Sequence, residues 1–379
     1  MKRWTIPCSC VLLAGHAALA IEAPKPDSAD SPAAAPAPQA QLAPSDEAAF
    51  YAVLQSSAHH RNLTGLKVPA DVQSSLARGD AAAAVAALSA AAAANRNDEN
   101  IALVRIQHWC NRISSSRTAD AKAQIAKLPA DLAPQRAARA AGVIIAEEEY
   151  LRTARSSCAQ AQFDYGGIEQ RLRAATQGGD PASATELAQF TRDPAQRKSL
   201  LKTAADKNFA PAQYVLATSH LMSVQRGDTT EDVSSIRLLL KQAGRSINKA
   251  KVDLANCMAL GCDGHPADSA AAAAFGMDAA RDGEPSAFVS MARMPWGGRI
   301  PRVQLLAWQY FGDRLSEAGC VGDAYVMSTI TFDQTLKAFE QRLDQTMIEQ
   351  ARAQAERLWQ DNGERAKREQ GCQLSAASG

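Results

Sequence analysis

Four times in the second half of this chain a large apolar residue is followed directly by alanine: Leu187-Ala188, Leu216-Ala217, Leu254-Ala255 and Met291-Ala292, at gaps of 29, 38 and 37 residues. In the first three units a leucine stands 15 residues upstream, at Leu172, Leu201 and Leu239. Alanine-rich stretches lie between, as Ala174-Ala175, Ala204-Ala205 and Ala279-Ala280, with Gln242-Ala243-Gly244 as a looser version. Pro181, Pro211 and Pro285 precede their apolar–alanine pairs by five or six residues. Proline is tolerated in the first turn of a helix, where its missing N–H has no intrahelical partner to lose. Each unit therefore reads as helix, short turn, helix. A pair of this size cannot bury its apolar face alone, so consecutive pairs must stack. A fifth, degenerate copy runs through Gly319, Cys320 and Gly322 to Tyr325 and Met327.

Composition agrees with helices. Hydrophobic residues make up 46% of the 379 positions and aromatic ones only 5%, with much of the apolar content alanine. Alanine has the highest helix propensity and lets helices approach closely. Lys+Arg at 41 against Asp+Glu at 40 leaves no concentrated positive field of the kind nucleic-acid binding requires.

The region 46–165 is expected to be helical as well. Leu76 to Asp80, an alanine-rich run to Ala94, a polar turn at Asn95 to Asp98, and then Ile101, Val104, Ile106, Trp109 and Ile113 are similar to a tetratricopeptide helix pair. Pro129 and Pro134 lead into another long helix near 133–155, with Val143, Ile144 and Ile145 expected on its buried face. Beyond Phe332, Leu336, Phe339, Leu343, Met347, Ala351, Ala355 and Leu358 recur every three or four residues. That spacing predicts one long C-terminal helix capping the stack, with 331–379 as helix and tail, and a homodimer through its apolar stripe as the rival use.

The segment Leu201 to Leu216, with Ala204-Ala205, Asn208, Ala212-Gln213 and Tyr214, resembles the Sel1-like repeat family of tetratricopeptide-type α/α solenoids. Phe275 to Ala292, with Ala279-Ala280 and Gly283, resembles it next best. The likeness covers residues 166–330, and departs from the pattern where Asn208 replaces the usual turn glycine and where one gap is only 29 residues. It implies an all-α solenoid with a protein-interaction or assembly role.

At the N-terminus, Met1-Lys2-Arg3 precedes an apolar stretch to Leu19, and Ala17 to Ala20 offers a small-residue cleavage site. Residues 1–20 thus read as a signal peptide, giving a periplasmic or secreted chain that begins near Ile21. The stretch is too short and interrupted for a membrane span, which takes about 20 apolar residues. Residues 21–45, rich in Pro, Ala and Ser, read as a disordered linker, and Ser45-Asp46-Glu47 as the helix start after it. Six cysteines remain after the leader: Cys110, Cys158, Cys257, Cys262, Cys320 and Cys372. An even number in an exported chain suggests disulfides. If each repeat touches only its neighbours, pairing follows sequence order: Cys110–Cys158, Cys257–Cys262 and Cys320–Cys372.

No nucleophile–base motif, phosphate loop or metal-binding spacing stands out, so no cofactor is implied. Asp263, His265 and Asp268 could form a small metal or acid–base site, but an inter-repeat loop with Asp268 capping the next helix is the simpler reading. His59-His60 reads more simply as a solvated or half-buried pair than as a metal site, because adjacent helical side chains diverge. Asn62 to Thr64 matches a glycosylation acceptor, which matters only in a host that glycosylates it. Trp296, Trp308 and Tyr310 lie close in sequence and could form a partner-binding patch or ordinary core. The expected function is an exported scaffold or adaptor that binds a protein or peptide of the cell envelope. A cell-envelope hydrolase acting on peptidoglycan-type or β-lactam-like substrates is the alternative.

Overall fold

The computed structural model describes residues 66–92, 97–115, 120–226, 234–262 and 264–372. The expected signal peptide (1–20) and linker (21–45), the expected helix start at Ser45, His59-His60, Asn62 to Thr64 and Asp263 lie outside the described residues. Among the described residues the chain is all-α, with 16 helices and no strand.

Helices α1 (Ala70–Ala77), α2 (Ala81–Ala92) and α3 (Asn97–Ser115) pack in succession. A short α4 (Ala121–Ile125) leads to α5 (Pro134–Gln160), whose 27 residues span about 40 Å at 1.5 Å each. Four helix hairpins follow: α6 (Tyr165–Gln177) with α7 (Pro181–Phe190), α8 (Pro194–Asp206) with α9 (Ala210–Gln225), α10 (Ser234–Ala243) with α11 (Asn248–Leu260), and α12 (Ser269–Arg281) with α13 (Pro285–Arg293). A 3-10 turn at Gly297–Arg299 leads into α14 (Arg302–Glu317), α15 (Tyr325–Glu340) and α16 (Gln345–Glu369).

Local chemistry sets these boundaries. Asp180 and Asp193 each accept a hydrogen bond from a first-turn amide, of Ser183 and Ala195, and each is followed by proline at the first helical position. Glu284 before Pro285 does the same for Ser286. An acid at the cap satisfies an amide that the helix leaves without a partner, and proline next to it lacks the N–H that would need one. Three of the four hairpin turns use a left-handed residue at one recurring place: Gly179 at φ 90, Asn208 at φ 60 and Gly283 at φ 75. The side chain at Asn208 tolerates this because asparagine enters the left-handed region more readily than other L-residues. Replacing Asn208 by glycine is therefore expected to keep stability within about 1 kcal/mol of native, whereas valine should lose about 1–2 kcal/mol. Urea unfolding of the two variants measures this, and equal midpoints would contradict it.

The apolar–alanine pairs face the core. Leu187, Ala188, Leu216, Ala217, Leu254, Ala255 and Met291 are all buried, as are Leu172 and Leu201 on the first helices. In the third hairpin the deeply buried positions are Ile236 and Leu240, with Leu239 only packed against the edge of the core. On α5, Val143 and Ile144 are buried but Ile145 is exposed, since three consecutive helical residues cannot share one face.

The single C-terminal helix expected beyond Phe332 is two helices. The three-to-four spacing runs on unbroken through Leu343, but Asp344 accepts a hydrogen bond from the amide of Met347 and starts α16 afresh. The apolar stripe of α16, Ile348, Ala351, Ala355 and Leu358, lies on Leu306, Ala307 and Leu336 of α14 and α15. Most of this stripe is thus covered within one chain, and Met347 at its start stays exposed.

Three disulfides join cysteines that are neighbours in sequence order: Cys110 of α3 to Cys158 of α5, Cys257 of α11 to Cys262 beyond it, and Cys320 after α14 to Cys372 after α16. The premise that a unit touches only its neighbours nevertheless fails at α5. Its C-terminal half packs on α2 and α3, and its N-terminal half reaches α15. Helix α5 therefore links the beginning of the described fold to its end.

Candidate interaction surface

The second helices of the hairpins, α7, α9, α11 and α13, carry the apolar–alanine pair at matched positions. The residue just before each pair is Glu186, Val215, Asp253 or Ser290. Three of these four hold polar links to an adjacent helix. Arg105 on α3 donates through Nε to Glu186 at 2.9 Å, Tyr214 on α9 donates through its hydroxyl to Asp253 at 2.9 Å, and Asn256 on α11 donates to Ser290 at 3.2 Å. Lys249 pairs with Asp253 as well. Burial, helped by the charges of Asp253 and Glu284, pushes the Tyr214 phenol well above its ordinary value and keeps it a donor. These bonds satisfy polar groups that are largely removed from water, which is where leaving one unmade would cost most.

The fourth position, Val215, breaks the series. It is 40% exposed, and Met222, two turns on along α9, is 51% exposed. Val289 on α13 and Leu238 on α10 are also exposed. Methionine and valine on one open helix face make an adaptable apolar contact strip.

A second charged arrangement sits where α5 meets α14 and α15. Arg136 makes a forked contact with Asp313, one arm at 2.9 Å, and Arg139 reaches Glu317 at 2.6 Å. Lys337 bridges Asp333 and Asp131, each at 2.8 Å. Val143 packs against Val321 and Tyr325 alongside. Burial raises the Asp313 carboxyl above its ordinary value, and the hydrogen bond and charge of Arg136 oppose that rise, while Glu317 and Asp333 add to it. Burial, then the charge of Glu317, lifts the Tyr325 phenol to about 12.

Of the two readings open to Trp296, Trp308 and Tyr310, core describes both tryptophans. Trp296 is fully buried and donates its indole N–H to Asn256 at 2.9 Å, and Trp308 is buried edge-on to Phe311 at 5.7 Å between ring centres. Side chains of that size are removed from water wherever helices can close over them, and here α12, α13, α14 and α16 do so. Tyr310 is half-buried, with its hydroxyl on Glu340 and Arg352 over its ring, so its polar end is already engaged. Burial, then the hydrogen bond to Glu340, pushes this phenol up to about 12.

Asp268 caps α12 by accepting from the amide of Ala271, and His265 is exposed beside it. Among the described residues no three His, Cys, Asp or Glu side chains are placed to hold a metal. His220, buried on α9, lies 3.2 Å from the hydroxyl of Ser235 on α10. A nucleophile and its base must reach substrate, and a buried imidazole between two packed helices instead ties the hairpins together. Among the described residues no helix is long and apolar enough to cross a membrane.

No protein-family model and no curated protein matches the chain. Among solved structures the chain is similar to a protective antigen present in uropathogenic Escherichia coli strains, described as displaying an SLR fold. The two share 14% sequence identity over 79% of this chain and 76% of that one, with a TM-score of 0.31.

Proposed function

We propose that the chain is an exported helical-repeat scaffold that binds a protein or peptide of the cell envelope. The observation that carries the binding role is the set of polar links at matched positions, α3 to α7, α9 to α11 and α11 to α13, with the open Val215–Met222 strip on α9 where that series is interrupted. Matched positions on successive helices offer an extended partner a repeated set of contacts. Export is supported by the three disulfides, which persist in oxidising compartments and are rare where thiols are kept reduced. In this reading residues 1–20 direct export and residues 21–45 tether the folded part.

The test uses the full chain, expressed with its leader. Periplasmic crosslinking with the native protein is expected to capture one envelope protein reproducibly, and the double substitution Val215→Asp, Met222→Asp should reduce that capture at least about tenfold, each tenfold being 1.4 kcal/mol. Undiminished capture by the variant removes the α9 strip from the interface. Failure of the folded native chain to capture any protein overturns the scaffold reading. In the same preparations, the six cysteines should react with a thiol reagent only after reduction.

A further inference from the structure

The two halves of α5 are held by different chemistry. The C-terminal half is covalently tied through Cys158 to Cys110. It is reinforced by Tyr150 donating to the carbonyl of Leu76 at 2.9 Å, by Arg155 donating to that of Ile113 at 3.0 Å, and by Ser157, which joins Asp80 and the amide of Ala82. The N-terminal half is held mainly by charge: Arg136 to Asp313, Arg136 and Arg139 to Glu317, and, just before the helix, Asp131 to Lys337. The apolar contact at this end is small, consisting of Val143 against Val321 and Tyr325, with Val326 beside them.

Without α5, the facing surface of α14 and α15 would gather Asp313, Glu317 and Asp333 with Lys337 as the cation paired to Asp333. The two arginines of α5 supply the positive charge that lets these acids lie together. Asp313 is 11% exposed and screened less, while the outer pairs remain partly open to water, with the Glu317 side chain 29% exposed and Asp131 75%. Charge contacts of that kind weaken as salt screens them, whereas the disulfide and the apolar contacts of the other half do not.

We propose that α5 is an ionic clasp, anchored permanently on α3 and closed reversibly on α14 and α15. Release lifts residues 134–146 while 150–160 stay in place. It uncovers Asp313, Glu317, Val321 and Tyr325, an acidic and apolar face suited to a helix carrying arginines one turn apart, as Arg136 and Arg139 are on α5.

Hydrogen exchange of the full chain at fixed pH tests this. In ~1 M sodium chloride, where the Debye length is about 3 Å, exchange of residues 134–146 should speed at least about tenfold over low salt, with 150–160 and 248–260 unchanged. The variant Arg136→Gln, Arg139→Gln should show the fast exchange already at low salt, with α11 still protected as the check that the chain is folded. Equal protection of 134–146 at both salt concentrations in the native chain overturns the clasp. So does simultaneous loss of protection in 134–146 and 248–260, which would be general unfolding.

Discussion

Trp296→Ala should destabilise the protein by about 3–5 kcal/mol, the largest effect of any single truncation in the C-terminal core. Trp296 is fully buried, and it lies so close over Gly276 that a Cβ added there would run into the indole ring. Glycine at 276 and tryptophan at 296 are thus one fitted pair, and alanine at 296 leaves a cavity that the packed helices around it cannot collapse into. The loss has a polar part too, since Asn256 accepts from the indole N–H while donating to Ser290. Trp296→Phe separates the two contributions. It keeps most of the volume but removes the donor, and should cost about 1–3 kcal/mol. Urea unfolding of both variants checks the order; a Trp296→Ala protein within 1 kcal/mol of native would show that the pocket closes after all.

Loss of the Cys320–Cys372 bridge is expected to be of similar size. It closes a 52-residue loop, for which chain entropy gives about 4 kcal/mol, against about 2 kcal/mol for the five-residue separation of Cys257–Cys262. The paired substitution Cys320→Ser, Cys372→Ser should therefore lower stability by roughly twice as much as Cys257→Ser, Cys262→Ser. The end of α16 would keep its contacts to the α12–α13 turn, where Arg365 pairs with Asp282 and Gln370 donates to its carbonyl at 3.1 Å. Unfolding should consequently begin at α16 without abolishing the fold. Thermal melts of the two double variants measure the difference, and equal losses would argue that local strain or residual structure outweighs loop length.

The hairpins were legible because their signals are local. A leucine 15 residues before a Leu-Ala pair, and a proline five or six residues before the pair, fit within one hairpin and carry their own geometric meaning. The split between α15 and α16 was not, because the apolar spacing passes straight through Leu343 and only Asp344 marks the restart. Trp296, Trp308 and Tyr310 show the same limit from another side: an aromatic residue looks alike in sequence whether a groove or a core receives it. Tyr214 with Asp253 and Arg136 with Asp313 were invisible for a different reason. Charged and polar residues on a helix surface follow one pattern whether they meet water or another helix, and the partners lie 39 and 177 residues apart. The exposed Val215–Met222 strip had a faint signal, apolar residues seven apart beside the buried Leu216, which needs the orientation of α9 before it can be read.

The link made by α5 also bears on how the chain reaches its native state. In an open array each hairpin needs only the one before it, so order can spread from any point. Here residues 131–143 must wait for partners at 313–337, and closing a 177-residue loop in place of the 48 residues spanned by Cys110–Cys158 adds about 1 kcal/mol of lost chain entropy. The C-terminal half of α5 can settle on α3 as soon as both are free to fold, while Arg136 and Arg139 stay in water until α14 and α15 have formed. The final event of folding is then a docking of the two ends, and a chain truncated before α14 would leave the front half of α5 as the least protected helix in an otherwise ordered beginning.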